Sequence, residues 1–345
     1  MGTTEVTQTG FWQRFHRRLA SVVWVTSWIY LALVTAGALL LYWAGDSSWT
    51  TTVLTFGPRW IVLFPLAPLA ALALAFCRKG LVPLLPAAVC AVGPVMGFCI
   101  PWRTIAIGQP QGVLALRVVT LNVGGVSDPA GLIDFVRGAQ ADVIAFQEWP
   151  RPKSFPEDVA SGWYLAREGE LLVASRYPIR SVAAAPRGTV RNYAPAIRCD
   201  IDTPAGIVHF HCLHLYTLRK GLDAVISQKW EGASELERVC AIRNEESEIA
   251  GRFAGDCDAP ALVLGDFNMP ADSAIFRRDW RHWQDAFSVR GLGFGYTFAS
   301  RRIGLRIDHV LADGKHWYVR SCEVGPDLAG QHRPVVADLL LLGSE

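Results

Sequence analysis

The chain has 345 residues, with 33 Lys and Arg against 31 Asp and Glu, for a net charge of +2. At 19% charged and 51% hydrophobic it is more apolar than an ordinary soluble enzyme, in which about a quarter of residues are charged. Its 13 Trp, 16 Phe and 8 Tyr exclude a disordered chain, and 8 Cys over this length exclude a disulfide scaffold.

The averages describe neither half. Residues 1–110 hold seven basic and two acidic residues and carry +5, whereas residues 111–345 carry −3. This division predicts a membrane anchor over 1–110 and one soluble domain of 235 residues over 111–345. Three charge-free runs, 19–45, 60–77 and 80–102, approach the roughly 20 apolar residues of a transmembrane helix. The first fits a simple span. The second contains Pro65 and Pro68, and the third Pro83, Pro86, Pro94 and Pro101. These two read as kinked spans, in which neighbours satisfy the freed carbonyls, or as a re-entrant pair. Three long runs in series do not suit a cleavable signal peptide.

Basic residues near the runs set the orientation. Arg14, Arg17 and Arg18 precede the first run, and Arg78 and Lys79 separate the second from the third. Only Arg59 and Arg103 flank the opposite side. The expectation is an integral protein of the cell (inner) membrane, N-terminus cytoplasmic, with the C-terminal domain periplasmic or extracellular. One span or three leads to the same side. Trp43, Trp49, Trp60 and Trp102 sit near run ends, as an interfacial belt requires, and no Asp, Glu or Lys within a run offers a transport handle.

From Leu114 onward, short apolar runs alternate with helical or loop stretches. Leu116–Asn122, Val143–Gln147 and Leu171–Ser175 predict buried strands. Ala130–Ala139 has helical spacing, with Leu132, Ile133, Phe135 and Val136 on its apolar face. Ala196–Asp202 and Ile207–Leu215, joined at Thr203–Gly206, predict a hairpin. Ser234–Phe253 predicts a helix, Ala261–Leu264 another buried strand, and Ile307–Leu311 and Val335–Leu342 the last strands. Hairpins mixed with helical crossovers indicate an α/β sandwich of mixed sheets.

Polar residues end these strands repeatedly: Asn122, Gln147 and Glu148, Asp266 and Asn268, Asp308, and His332 just before the last strand. One such end is ordinary loop chemistry; several in one mixed sheet build a site rim. Leu121-Asn122, Gln147-Glu148, Ser175-Arg176-Tyr177-Pro178, His214-Leu215, Gly265-Asp266-Phe267-Asn268, Ile307-Asp308-His309-Val310 and His332-Arg333-Pro334 occur in chain order. The ordered set resembles the endonuclease/exonuclease/phosphatase superfamily, over essentially all of 111–345 and none of 1–110. The resemblance implies a four-layer α/β sandwich with two packed mixed β-sheets, here preceded by an N-terminal transmembrane helical region.

The resemblance also implies roles. Glu148 is the principal ligand of a hard divalent ion, Mg²⁺ or Mn²⁺, with Asn122 as a second oxygen donor or as a simple Asx-turn cap. Asp266 orients or deprotonates the attacking water, and Asn268 donates to a phosphate oxygen. His332 is the catalytic histidine, Asp308 orients it and stabilises its imidazolium, and His214 contacts phosphate as charge builds. One position departs from the pattern: the family usually has Asp before the catalytic histidine, and this chain has Gln331, which brings no negative charge to the metal.

The expected function is therefore a membrane-anchored, divalent-metal-dependent phosphoesterase, cleaving a phosphodiester or phosphomonoester by metal-assisted water attack. A lipid headgroup is the substrate that anchoring suggests. An extracytoplasmic nuclease acting on DNA or RNA is the competitor, although a net charge of −3 disfavours a general nucleic-acid surface. A non-catalytic tethered binding module is the third reading, motivated by Gln331. Arg277, Arg278 and Arg281, and Arg301, Arg302 and Arg306, form basic clusters; the second is placed to reach a phosphate or to sit in a solvated loop. His209, His211 and His214 mimic a zinc motif, but strand alternation puts His214 on the face opposite the other two. Arg219–Glu231 is a polar stretch suited to a lid or a membrane-facing loop. Cys240 and Cys257 are a conceivable but unassigned pair.

Overall fold

The computed structural model describes residues 3–102, 110–150, 161–255, 259–300 and 303–343, with side chains from residue 11. Arg103, Cys257, Arg301 and Arg302 lie outside them. The N-terminal part comprises α1 (Thr3–Ala44), α2 (Trp49–Phe56), α3 (Leu66–Phe76) and α4 (Leu81–Cys90). The first apolar run forms α1, which continues N-terminally through the basic cluster because no proline interrupts it. Ser48 starts α2 through a capping box with Thr51. The second run opens as a 3-10 turn, Arg59–Leu63, and becomes helical again only past Pro65. The third opens likewise at Arg78–Gly80, carries Pro86 inside α4 and ends in a π-turn, Ala91–Val95.

That third helix stops at Val95, short of the expected Trp102. Pro94 has no N–H to extend the ladder. Beyond it, Gly97 adopts a left-handed φ of +80°, and Cys99 exchanges backbone hydrogen bonds of 2.8 and 3.0 Å with Gly293. Three segments, Phe11–Ala44, Arg59–Phe76 and Arg78–Val95, are long and apolar enough to cross a membrane. Buried Val23, Tyr30, Val34, Ala73, Leu84 and Ala87 join them, and the Tyr30 hydroxyl donates to the Val62 carbonyl at 2.7 Å. The α3–α4 turn packs Gly80 against Val23 and Ser27 of α1, about 25–31 Å along the helix from Ala44 at 1.5 Å per residue.

The C-terminal part begins with β1 (Leu114–Asn122), α5 (Pro129–Gly138), β2 (Val143–Gln147), β3 (Tyr164–Glu168) and β4 (Leu171–Ser175). Next come β5 (Ile179–Ala184), β6 (Ala196–Thr203), β7 (Gly206–His214), α6 (Arg219–Gln228), α7 (Ala233–Gly255) and β8 (Ala261–Asp266). The remainder is α8 (Ala274–Trp280), β9 (Trp283–Asp285), α9 (Ala286–Arg290), β10 (Phe298–Ala299), β11 (Gly304–Leu305), β12 (Asp308–Asp313), β13 (Trp317–Val324) and β14 (Val335–Leu341). Two six-stranded mixed sheets form, ordered β13-β14-β1-β2-β4-β3 and β5-β6-β7-β8-β12-β9.

Their inner faces share one core, including Val118, Val143, Val173, Ile197, Phe210, Leu264, Val310 and Ala337. Outside the first sheet, α5 lays Leu132, Ile133, Phe135 and Val136 on Val119, Leu121, Ile144 and Phe146. Outside the second, α7 and α8 bury Leu236, Val239 and Trp280, and α2 adds Phe56 from the N-terminal part. The result is the expected four-layer sandwich.

Six strands have no expected counterpart, the short β9, β10 and β11 and the longer β3, β5 and β13. β5 is exposed along most of its length and has no apolar run to announce it. β3 is a short edge strand whose first two residues are exposed. In β13 a bulge between Val319 and Ser321 breaks the period-2 pattern, so buried Trp317, Val319 and Cys322 fall out of step. The stretch 219–231 is the amphipathic helix α6 followed by a 3-10 turn, Lys229–Gly232.

Candidate active site

Strand alternation locates the site. Asn122 shares its face of β1 with Leu116 and Val118, His214 shares β7 with Phe210 and Cys212, Asp266 shares β8 with Leu262 and Leu264, and Asp308 shares β12 with Val310. Each of the four ends an inner-face row. Register aligns Asn122 with Gln147, His214 with Asp266, and Asp266 with Asp308. The two sheets thus bring their polar ends together at one edge of the sandwich.

Asp266 is the hub. Its Oδ1 accepts the Asn268 N–H at 2.8 Å and its Oδ2 the Asn122 amide at 2.9 Å. The Nε2 atoms of His214 and His332 stand 3.6 and 3.8 Å from the same Oδ2. Burial, followed by the Asp308 charge, raises the Asp266 pKa above the usual carboxylate range. His332 is held by Asp308, Nδ1 to Oδ2 at 2.8 Å. Burial opposes the imidazolium, but the charges of Asp308 and Asp266 outweigh it and raise the His332 pKa to about 9.

Glu148 is half-exposed and sits at φ +53°, Asn268 at φ +50°. Such backbone is costly for a residue with a Cβ and gathers where side-chain aim matters. Asn122 donates to Glu148 Oε1 at 2.9 Å and accepts the Gly124 N–H on Oδ1 at 2.8 Å. The Asx-turn reading of Asn122 is therefore realised, and its Oδ1 keeps a second lone pair. Gly124 makes room for this carboxylate, since a Cβ there would lie 2.2 Å from Glu148 Oε2 and force the side chain to shift. Asn268 donates its side-chain amide to Leu215 O at 2.8 Å.

A second histidine–carboxylate pair was not foreseen. His214 Nδ1 meets Glu170 Oε1 at 2.6 Å. Burial would lower the His214 pKa, yet the Glu170 bond and the Asp266 charge raise it. Burial works on Glu170 in the other direction, and His214 and Arg191 hold it below its ordinary value. Arg191 reaches Glu170 at 3.7 Å and Glu246 at 3.5 Å, and donates to the His214 carbonyl at 3.0 Å. Glu170 lies in the β3–β4 turn, where sequence alone does not separate it from neighbouring Glu168.

Other expected residues lie elsewhere. Arg306 is largely buried in an ion pair with Asp285 and donates to Ser288, so it braces α9 and is committed away from a phosphate. Burial works against its charge, but Arg306 and His309 hold the Asp285 carboxyl well below the usual range. Arg277 donates to the carbonyls of Asp272 and Tyr42. His209 pairs with Asp200 at 2.7 Å and His211 is buried against Phe253, both off the site face. His309 is also structural, set between Asp285 and the Met269 carbonyl. Gln331 is exposed, beside Gly125, and accepts a hydrogen bond from Arg219. The described cysteines carry no disulfide.

Asp266, Asp308 and His332 lie close enough, within 4.8 Å, for a metal to bridge them. His332 Nδ1 is already committed to Asp308, however, and Asp308 Oδ1 is buried without a hydrogen-bond partner among the described residues. The oxygen donors nearest solvent are those of Glu148, a donor type that suits a hard divalent cation.

Two face-packed mixed sheets with paired histidines and carboxylates on one edge define a sandwich of the phosphoesterase type. The sequence profile described as the Endonuclease/Exonuclease/phosphatase family matches residues 119–332, and the chain belongs to this family of hydrolases. Solved structures share the fold. The catalytic domain of human Nocturnin with bound sulfate is similar at a TM-score of 0.50 and 14% identity, over 67% of this chain and 96% of that one. A conserved protein of unknown function from Enterococcus faecalis V583 is similar at 0.50 and 12%, over 66% and 100%. An AP endonuclease from Archaeoglobus fulgidus is similar at 0.47 and 16%, over 64% and 98%. Sequence comparison with curated proteins finds no match.

Proposed function

We propose that the protein is a membrane-anchored phosphodiesterase, or phosphomonoesterase, dependent on Mg²⁺ or Mn²⁺ and acting outside the cytoplasm. Residues 1–110 anchor it and residues 111–345 carry the chemistry. The observation that carries the reading is the convergence on Asp266 Oδ2 of Asn122, His214 and His332, beside the half-exposed Glu148. Glu148 and the second lone pair of Asn122 Oδ1 would hold the ion. Bound there, it supplies Lewis-acid neutralisation of a phosphoryl oxygen.

The remaining work falls to the chain itself. Asp266, its pKa raised by burial, orients the attacking water and accepts its proton. His332, kept cationic by Asp308, donates to the phosphoryl group or the leaving oxygen. His214, its pKa raised against burial by Glu170 and Asp266, and the Asn268 amide stabilise the charge that builds on phosphorus.

The anchor supports a substrate presented at a bilayer, such as a phospholipid headgroup. The α3–α4 turn packs on α1 about as far from Ala44 as a hydrocarbon core is thick, ~30 Å, which favours spans over a re-entrant pair. Arg14, Arg17, Arg18, Arg78 and Lys79 lie toward that distal end, in keeping with a cytoplasmic N-terminus. Gln331, hydrogen-bonded to Arg219, is the one feature that favours a non-catalytic module.

The test is purified full-length protein with Mg²⁺ or Mn²⁺ on DNA, RNA, phospholipid vesicles and bis(4-nitrophenyl) phosphate. Metal-dependent hydrolysis of the phosphodiesters should fall by at least ~10²-fold in Glu148→Ala and in His332→Ala. Hydrolysis confined to nucleic acid would defeat the lipid version. Inactivity on every substrate, with Gln331→Asp restoring none, would favour the binding module.

A further inference from the structure

The loop leaving the first apolar helix does not hang between two independent halves. Asp46, two residues past α1, is fully buried inside the C-terminal part. Its Oδ2 takes Arg243 Nη2 at 2.5 Å and Ser273 Oγ at 2.7 Å, and its Oδ1 takes the N–H of Ala274 at 2.9 Å, at the start of α8. Both partners of the Asp46–Arg243 pair have side chains with no solvent exposure. Phe56, from the same juxtamembrane segment, covers the guanidinium, 5.1 Å from ring centroid to Cζ.

Arg243 spends its other terminal nitrogen on the site. Nη1 donates to the Asn268 carbonyl at 2.8 Å, and Asn268 stands at φ +50° between Asp266 and Leu215. A left-handed residue bearing a Cβ persists only where its surroundings over-determine it. Here the surroundings include a carboxylate contributed from residue 46.

We infer that Asp46 is a positioning residue for catalysis. Through Arg243 it fixes the Asn268 peptide and with it the side-chain amide proposed above to stabilise charge on phosphorus, which makes the 45–56 segment part of the catalytic apparatus. The inference rests on the phosphoesterase reading above for its kinetic consequence, and on geometry alone for its structural one.

Asp46→Asn, in the full chain, keeps the acceptor Oδ1 and the shape but removes the charge. Amide hydrogen exchange over Phe267–Ile275 should speed at least about tenfold, with Val143–Gln147 unchanged. With Mn²⁺, kcat for bis(4-nitrophenyl) phosphate should fall about five- to tenfold with KM within about twofold, the signature of a lost transition-state interaction. The double variant with Asn268→Ala should be no worse than Asn268→Ala alone, since both act through one group. Arg243→Lys, which keeps a cation against Asp46 but cannot also span to Asn268, should reproduce the exchange and kcat changes, and serves if Asp46→Asn fails to fold. Unchanged exchange in these variants, or fully additive losses with Asn268→Ala, overturns the inference. Faster exchange in a protein that hydrolyses no phosphoester upholds the coupling and removes the phosphoesterase reading instead.

Discussion

At the scale of single residues, the site works by pairing each histidine with its own carboxylate and letting both face a third. Asp308 serves His332 and Glu170 serves His214, and in both cases burial disfavours the imidazolium but the neighbouring anions outweigh it and raise the pKa. Glu170→Gln keeps a hydrogen bond but removes the anion. The His214 pKa should drop, and kcat should fall roughly tenfold or more, with the deficit larger at pH 8 than at pH 6, as a pH–rate profile would record.

His211 shows the opposite balance. Burial, reinforced by Arg198 and His209, lowers its pKa to about 3, against about 6.5 unfolded. The neutral form is what the fold accepts, so its contribution is intact above pH 6.5 and is lost as pH falls toward 3. Between pH 7 and pH 5 this removes about 2 kcal/mol. His211→Phe, which preserves the edge contact with Phe253, should show a correspondingly smaller drop in urea midpoint over that range. Glu148, Asp266, Asp308 and His332 were legible in the sequence because each ends an apolar run or stands just before one. Glu170 and Arg191 were not, because they come from loops and become partners only once the sheets pack.

At the scale of elements, the strands with uninterrupted apolar runs were readable almost to the residue: β2 and β4 occupy the expected ranges. β13 and β5 escaped because a bulge in one and solvent on both faces of the other erase the pattern that burial normally writes. Turns carry as much of the site as strands do. The β1–α5 turn leaves an empty Cβ position at Gly124 that the Glu148 carboxylate fills. Gly124→Ala should push that carboxylate aside. The concentration of Mn²⁺ needed for half-maximal activity should rise at least ~10-fold, while the thermal midpoint moves by only a few degrees.

At the scale of the whole molecule, composition separated the chain cleanly at about residue 110, and packing does not honour that cut. Asp46, Arg59 and Cys99 each reach from the N-terminal part into the C-terminal one, to Arg243, Asp272 and Gly293. Charge statistics cannot foresee this, because one buried acid among apolar helices looks like any interfacial loop residue. Removing one member of a buried ion pair typically costs about 3–5 kcal/mol, whereas replacing both with apolar residues is often neutral. Arg243→Met should therefore lower the thermal midpoint strongly, and Asp46→Leu/Arg243→Met should recover only the part due to the stranded charge, because the Ser273 hydroxyl and the Ala274 N–H lose their acceptor, as calorimetry of the full chain would show.

The contacts at Asp46, Arg59 and Cys99 have a kinetic corollary. A domain on a slack tether sweeps a hemisphere and meets dissolved substrate from all sides. With residues 1–110 anchored as proposed, a domain pinned at three points would keep one height and one tilt over the bilayer, and its cleft would sample only a thin shell of space. For such an enzyme the governing concentration is molecules per unit of membrane area. For a phospholipid substrate of the kind proposed, dilution within the bilayer should then slow the enzyme even when the bulk amount is unchanged.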